Sequence, residues 1–222
     1  DGEAVSDYSG WSVSLSSDGS RVAVGAYGND AGGSNSGHVR IYQYNNNSWS
    51  QLGSDIDGEA ANDNSGLSVS LSSDGSRVAI GSQTNDGTSG NSNDNRGHVR
   101  IYQYNNNSWS QLGADIDGEA TDDRSGWSVS LSSDGSRVAV GAYHNDGAGT
   151  NSGHVRIFDY TPSGTSSWTQ VGADIDGEAA NDASGRSVSI SSDGSRVAIG
   201  AYTNDGNGSN SGHVRVYSIS SG

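Results

Sequence analysis

Four times along the chain a short run alternates apolar and small polar residues with a period of two. The first is Trp11-Ser-Val-Ser-Leu-Ser16, and its copies are Leu67 to Ser72, Trp127 to Ser132 and Arg186 to Ser191. Such alternation marks a half-buried β-strand and places Trp11, Val13 and Leu15 on one face. Each run meets Ser-Asp-Gly-Ser, and an Asp-Gly pair between two β runs predicts a tight hairpin turn with positive φ angles. The second strand, Arg21 to Tyr27, sets Val22 and Val24 on one face and Ala23 and Gly25 on the other, a side built for close approach. A loop rich in Asn, Asp, Gly and Ser leads to a third strand, Gly37 to Tyr44, whose β-branched and aromatic residues suit a pleated surface. A fourth strand, Ser48 to Gly53, follows Asn45-Asn-Asn and has counterparts near Trp109 and Trp168. Helical periodicity is absent.

The pattern is a repeat. Asp-Gly-Ser-Arg begins at Asp18, Asp74, Asp134 and Asp193, and Gly97 to Ala120 duplicates Gly37 to Ala60 except for Ala114 in place of Ser54. Units of four consecutive antiparallel strands bury both faces only by stacking on one another. The expected fold is all-β, a β-propeller-like tandem array of four four-stranded antiparallel blades. It forms a single repeat domain over residues 1–222, with units near 1–56, 57–116, 117–175 and 176–222. The last unit stops at Tyr217-Ser-Ile-Ser-Ser-Gly222 without an outer strand, and the chain opens on the tail of a connection. The expectation is therefore a processed protein or slice in which no N-terminal strand closes a ring. A longer polypeptide, an incomplete ring or a neighbouring chain would then complete the edge.

Composition narrows the function classes. With 30% hydrophobic residues, 34 Gly and 1 Pro, the core must be thin and repeated. A formal charge of -15, with 11 scattered basic residues that are all Arg, disfavours nucleic acid as a partner. Apolar runs of a few residues fall far short of the ~20 that a membrane span needs. The absence of Cys removes disulfides, thiolate metal sites and thiol nucleophiles.

Ser9-Gly10-x-Ser-Val, Asp18-Gly19, Val24-Gly25-Ala26 and Gly37-His-Val-Arg-Ile-Tyr42, in that order in every unit, resemble an FG-GAP repeat. The layout is similar to the blades of the integrin α-subunit head and to variants in secreted or surface proteins of bacteria and algae. The resemblance implies propeller topology, extracellular or cell-surface location and adhesion. The chain departs from the family pattern at Ser9, Ser65, Ser125 and Ser184, where the family has Phe, and at Tyr27, Gln83, Tyr143 and Tyr202, where it has Pro. The calcium loop that some members carry in the first hairpin is shortened here to Ser-Ser-Asp-Gly-Ser, so those sites do not transfer.

The remaining calcium candidates lie in the connections before each first strand: Asp57, Glu59, Asp63; Asp117, Glu119, Asp123; Asp176, Glu178, Asp182; and in part Asp1, Glu3, Asp7. Three carboxylates per loop offer hard oxygen ligands to Ca²⁺, or else cap turns and pair with Arg. His38, His98, His154 and His213 share one third-strand position, where a structural role beside a carboxylate or a carbonyl is expected. Arg21, Arg77, Arg137, Arg196 and Arg40, Arg100, Arg156, Arg215 occupy two repeated positions suited to inter-strand or inter-blade ion pairs, or to a solvated face. The loops beginning Asn29-Asp30, Asn85-Asp86, Asn145-Asp146 and Asn204-Asp205 should share a rim and are the binding candidates. Asn46, Asn106 and Asn207 match the glycosylation sequon. No strand-to-helix elbow or triad is present, so no enzyme is expected. The leading expectation is adhesion or recognition of a protein or glycan at a cell surface. The alternatives are a structural subunit of an extracellular array, self-associating through an open edge, and a glycan-binding propeller.

Overall fold

The computed structural model describes residues 1–87, 93–162 and 167–220. The described residues contain no α-helix and form four antiparallel sheets. The first sheet holds β1 (Ser12–Leu15), β2 (Arg21–Ala26), β3 (His38–Asn45), β4 (Ser48–Gln51) and β5 (Ile56–Asp57). The second holds β6 (Ser68–Leu71), β7 (Arg77–Ser82), β8 (His98–Asn105), β9 (Ser108–Gln111) and β10 (Ile116–Asp117). The third holds β11 (Ser128–Leu131), β12 (Arg137–Ala142), β13 (His154–Thr161), β14 (Ser167–Gln170) and β15 (Ile175–Asp176). The fourth comprises β16 (Ser184–Ile190), β17 (Arg196–Ala201) and β18 (His213–Ser218). This is a propeller-like array of blades.

Two local features differ from the expectation. A fifth, two-residue strand joins each of the first three sheets: the end of β3 pairs with β4, while its start, His38 and Val39, pairs with Asp57 and Ile56 of β5. The connection to the next unit thus begins as an edge strand beside the repeated His position. The hairpin is also longer than a two-residue turn. Gly19 N–H donates to Ser16 O, and Gly19 alone takes positive φ (69°) while Asp18 does not. Asp18 instead holds the turn with its side chain, accepting from Ser16 Oγ and Ser20 N–H. The two-residue geometry appears at the other hairpin, where Asn46 and Asn47 both have positive φ (51° and 60°) between β3 and β4.

The blades bury one another. Ala23, Val39, Ile41 and Ile56 of the first sheet pack on Leu71, Val78 and Ile80 of the second. Ala79, Val99, Ile101 and Ile116 pack on Leu131, Val138 and Val140 of the third. Ala139, Val155 and Ile157 pack on Ile190, Val197 and Ile199 of the fourth. The first strand of each blade lies against the first strand of its neighbour, and the serines between its apolar residues explain how. Leu71 N–H donates to Ser14 Oγ and Leu131 N–H to Ser70 Oγ, while Ser12 and Ser68 donate to Gly66 O and Gly126 O. Hairpin tips join through main chain, with Ser17 N–H donating to Ser73 O, Ser73 to Ser133 and Ser133 to Ser192. At the outer edge Trp109 and Trp168 donate their indole N–H to Leu52 O and Leu112 O of the preceding unit.

Candidate functional site

The second-to-third-strand loops and the connections meet at one end of the blades. Each of the first three loops is bonded to the next unit's connection: Asn62 N–H to Ser34 O, Asp122 N–H to Asp94 O and Asn181 N–H to Thr150 O. Within the loop the side chains are consumed locally. Asn29 Oδ1 accepts from Ala31 N–H, Asn85 from Gly87, Asn145 from Gly147 and Asn204 from Gly206. Asp30, Asp86, Asp146 and Asp205 accept from the N–H of Asn35, Asn95, Asn151 and Asn210. The four Asn are buried, so of the rim candidates they shape the loop from beneath and do not face a partner.

The three carboxylates of a connection are not brought together. Asp63, Asp123 and Asp182 are buried and accept from N–H groups of their own connection, at Ala60, Ala120 and Ala179. They also accept from the buried amides of Asn85, Asn145 and Asn204 at 2.9–3.2 Å. Asp7 does the same with Glu3 and Ala4 N–H. Asp57, Asp117 and Asp176 contribute main-chain carbonyls, which accept from Arg100, Arg156 and Arg215. Glu59 and Glu119 turn the other way, toward the third-strand His, as does Glu178.

That turn assembles a different cluster. Glu3, His38 and Asp55, then Glu59, His98 and Asp115, then Glu119, His154 and Asp174, each place a ligand-capable atom within 4.8 Å of the others. The connection supplies Glu, the third strand His, and the segment after the fourth strand Asp. In the first unit Arg40 grips Asp55 at 2.9 and 2.7 Å and also pairs with Glu3. The hydrogen bond from Arg40 pulls the Asp55 carboxyl below its usual range. In the next two units the Arg reaches past the carboxylates to a carbonyl, and burial raises Glu59 and Glu119, with Asp115 and Asp174 adding repulsion. Burial, then the Arg100 charge, drives His98 down to about 4, and burial with the Arg156 charge lowers His154.

The first set of Arg makes mainly main-chain contacts, which residue type alone did not reveal. Arg21, Arg77 and Arg137 donate to Gly75 O, Gly135 O and Gly194 O of the following hairpin. Only Arg137 adds a bidentate pair, with Asp159 at 2.5 and 2.6 Å. At the hairpin end, a cavity of about 630 Å³ opens among Ser133, Asp134, Ser192 and Asp193. Asp134 and Asp193 serve their own turns and Asp159, also in its lining, holds Arg137; the Ser191 hydroxyl and Ser195 N–H hold Asp193 down to about 2.

Arg186 stands where other units have Trp11, Leu67 and Trp127. Its guanidinium lies 3.9 Å from the Trp127 ring centre, 4.9 Å from Tyr143 and 5.3 Å from Tyr202. The signal was its break in the repeat, but one residue in a strand does not reveal three rings drawn from two units. Beside it a crevice of about 200 Å³ is lined by Tyr143, His144, Asn181 and Tyr202. Asn46, Asn106 and Asn207 are exposed on turns and a loop.

The family model for the FG-GAP repeat matches residues 1–42, 114–158 and 173–217, more than half of the chain. The chain belongs to the FG-GAP repeat family. The intervening FG-GAP unit repeats the same strands and turns. No curated protein matches it. Among solved structures the array is similar to a putative 6-phosphogluconolactonase from Bacteroides uniformis at 14% identity and a TM-score of 0.59, covering 93% of this chain and 49% of that one. It is also similar to the hydrazine synthase of Kuenenia stuttgartiensis, at 13% identity and a TM-score of 0.52, covering 90% and 44%. At such identities the likeness concerns the fold alone, and the FG-GAP array spans about half the length of each. Among the described residues no helix is long and apolar enough to cross a membrane.

Proposed function

We propose that the chain is a non-catalytic recognition module that mediates adhesion at a cell surface through the rim of its FG-GAP blades. The observation behind this reading is the rim itself: loops of differing sequence emerge at one end of the blades, and an aromatic patch centred on Arg186 lies there beside a crevice that Asn151 and Asn181 help to line. Tyr and Trp rings with adjacent amides suit the apolar faces and hydroxyls of a sugar, so a glycan is the preferred ligand class. FG-GAP repeats are typical of extracellular proteins, which favours that location. The test is a glycan array and a cell-binding assay with wild type and Tyr202→Ala, a substitution at an exposed ring. Saturable binding that the variant loses supports the reading; an absence of hits at high protein concentration overturns it.

A second reading is favoured by the outer faces. Leu15 on the first blade, and Val214 and Val216 on the fourth, are exposed although their counterparts are core, and Val13 is exposed where Val69 and Val129 are partly buried. They suit continuation of a longer extracellular array. Light scattering or electron microscopy showing only a closed monomer would count against this structural role.

A further inference from the structure

We propose that Glu59–His98–Asp115 and Glu119–His154–Asp174 are binding sites for a divalent first-row transition metal ion, with Zn²⁺ the type case. His98 and His154 are each 1% exposed, and neither His154 ring nitrogen has a hydrogen-bond partner, nor has His98 Nε2. A buried polar atom without a partner is costly, and in the third unit the pair of carboxylates facing His154 Nδ1 explains what it awaits; the His98 cluster repeats that geometry at Nδ1. His154 Nδ1 lies 3.9 Å from Glu119 Oε2 and 3.7 Å from Asp174 Oδ2. His98 Nδ1 lies 3.9 Å from Glu59 Oε2 and 3.8 Å from Asp115 Oδ2. These gaps are too long for hydrogen bonds. Ligands of a tetrahedral zinc stand about 3.3–3.6 Å apart, so an ion draws each imidazole nitrogen and its carboxylate oxygens together by only a few tenths of an ångström.

The neighbouring charges leave room for the ion. Arg100 and Arg156 direct NH1 toward the other Glu oxygen, Oε1, at 3.4 and 3.6 Å, and bind NH2 to the carbonyls of Asp57 and Asp117. Oε2 stays with the imidazole. Glu and Asp are partly exposed, which gives the ion an entry path and leaves a fourth position for water. A neutral imidazole with two carboxylates fits a borderline ion better than Ca²⁺, which takes oxygen ligands. The first unit is the internal contrast: Arg40 binds both Glu3 and Asp55, and the cluster is already neutralised. Because Nε2 has no partner to lock the ring, the affinity is expected on the order of micromolar, below that of fully braced sites.

The experiment is a zinc titration of the whole chain, stripped with EDTA, by calorimetry and by elemental analysis after dialysis. Two ions per chain are expected, falling to one in Glu119→Gln/Asp174→Asn and to none when Glu59→Gln/Asp115→Asn is added, with Ca²⁺ failing to compete. A cooperative melt of each variant in EDTA controls for folding. Independently, ¹⁵N spectra of the wild type should show Nδ1 of His98 and His154 shifting with zinc while His38 does not. No bound zinc at submillimolar concentration, a stoichiometry unchanged in the fourfold variant, or unmoved Nδ1 signals would each overturn the assignment.

Discussion

The joints between blades one, two and three and the outer faces of blades one and four are made of the same residues in opposite circumstances. Leu71 and Leu131 are 7% exposed, whereas Leu15, at the same position in the first blade, is 61% exposed. Ile41 and Ile101 are fully buried, whereas Val216 is 64% exposed. Nothing in the local strand distinguishes them; only the presence of a neighbour does. A blade here is therefore half a core twice over, and its stability is a property of the contact and not of the unit.

Substitutions at matched positions can break this comparison. Ile101→Ala should cost about 2–5 kcal/mol in urea unfolding, and Val216→Ala within about 0.5 kcal/mol. Equal losses would mean the outer face is covered in solution. A Cβ on Gly81 would run into the Gly126 carbonyl of the next blade, whereas one on Gly200 meets only the movable Ser187 hydroxyl. Gly81→Ala should therefore destabilise by about 1–3 kcal/mol and Gly200→Ala by much less. Acid should act on the interior joints through His98 and His154, which are buried in neutral form. Their folded pKa values lie below the unfolded one near 6.5, so the unfolded chain binds more protons as pH falls. Metal-free stability should then drop as pH falls below about 6.5, by about 1.4 kcal/mol per pH unit from His98 down to about pH 4, with His154 adding in the same direction. His98→Gln with His154→Gln should flatten the slope in a melting series. Smallest, Trp109→Phe removes the indole bond to Leu52 O and should cost about 1 kcal/mol. Trp49→Phe, half-exposed on the first blade, should be close to neutral in the same assay.

The strands were legible because their information is local: alternation in Trp11 to Ser16, a breaker at Asp18-Gly19, and small residues opposite large ones in Arg21 to Tyr27. The fifth strand was not, since Ile56-Asp57 is too short to show a period and is made a strand by the open edge of β3. The candidate site was half visible. Recurrence drew attention to the His, Asp and Glu positions, but carboxylates near in sequence point apart, Asp63 into its own connection and Glu59 toward a His on a distant strand. The partners of Arg21 and Arg77 are carbonyl groups, which every residue owns, so side-chain chemistry offered no clue to them.

The thread of hairpin tips, Ser17 to Ser73 to Ser133 to Ser192, has a consequence for how such a gene can grow. Each tip offers one amide to the tip ahead and one carbonyl to the tip behind, and neither atom depends on which side chain stands there. A duplicated segment arrives with both halves of the fastening already in place. The copy number of these modules can therefore change by recombination without a matched mutation in the flanking copy, leaving the rim loops free to diverge.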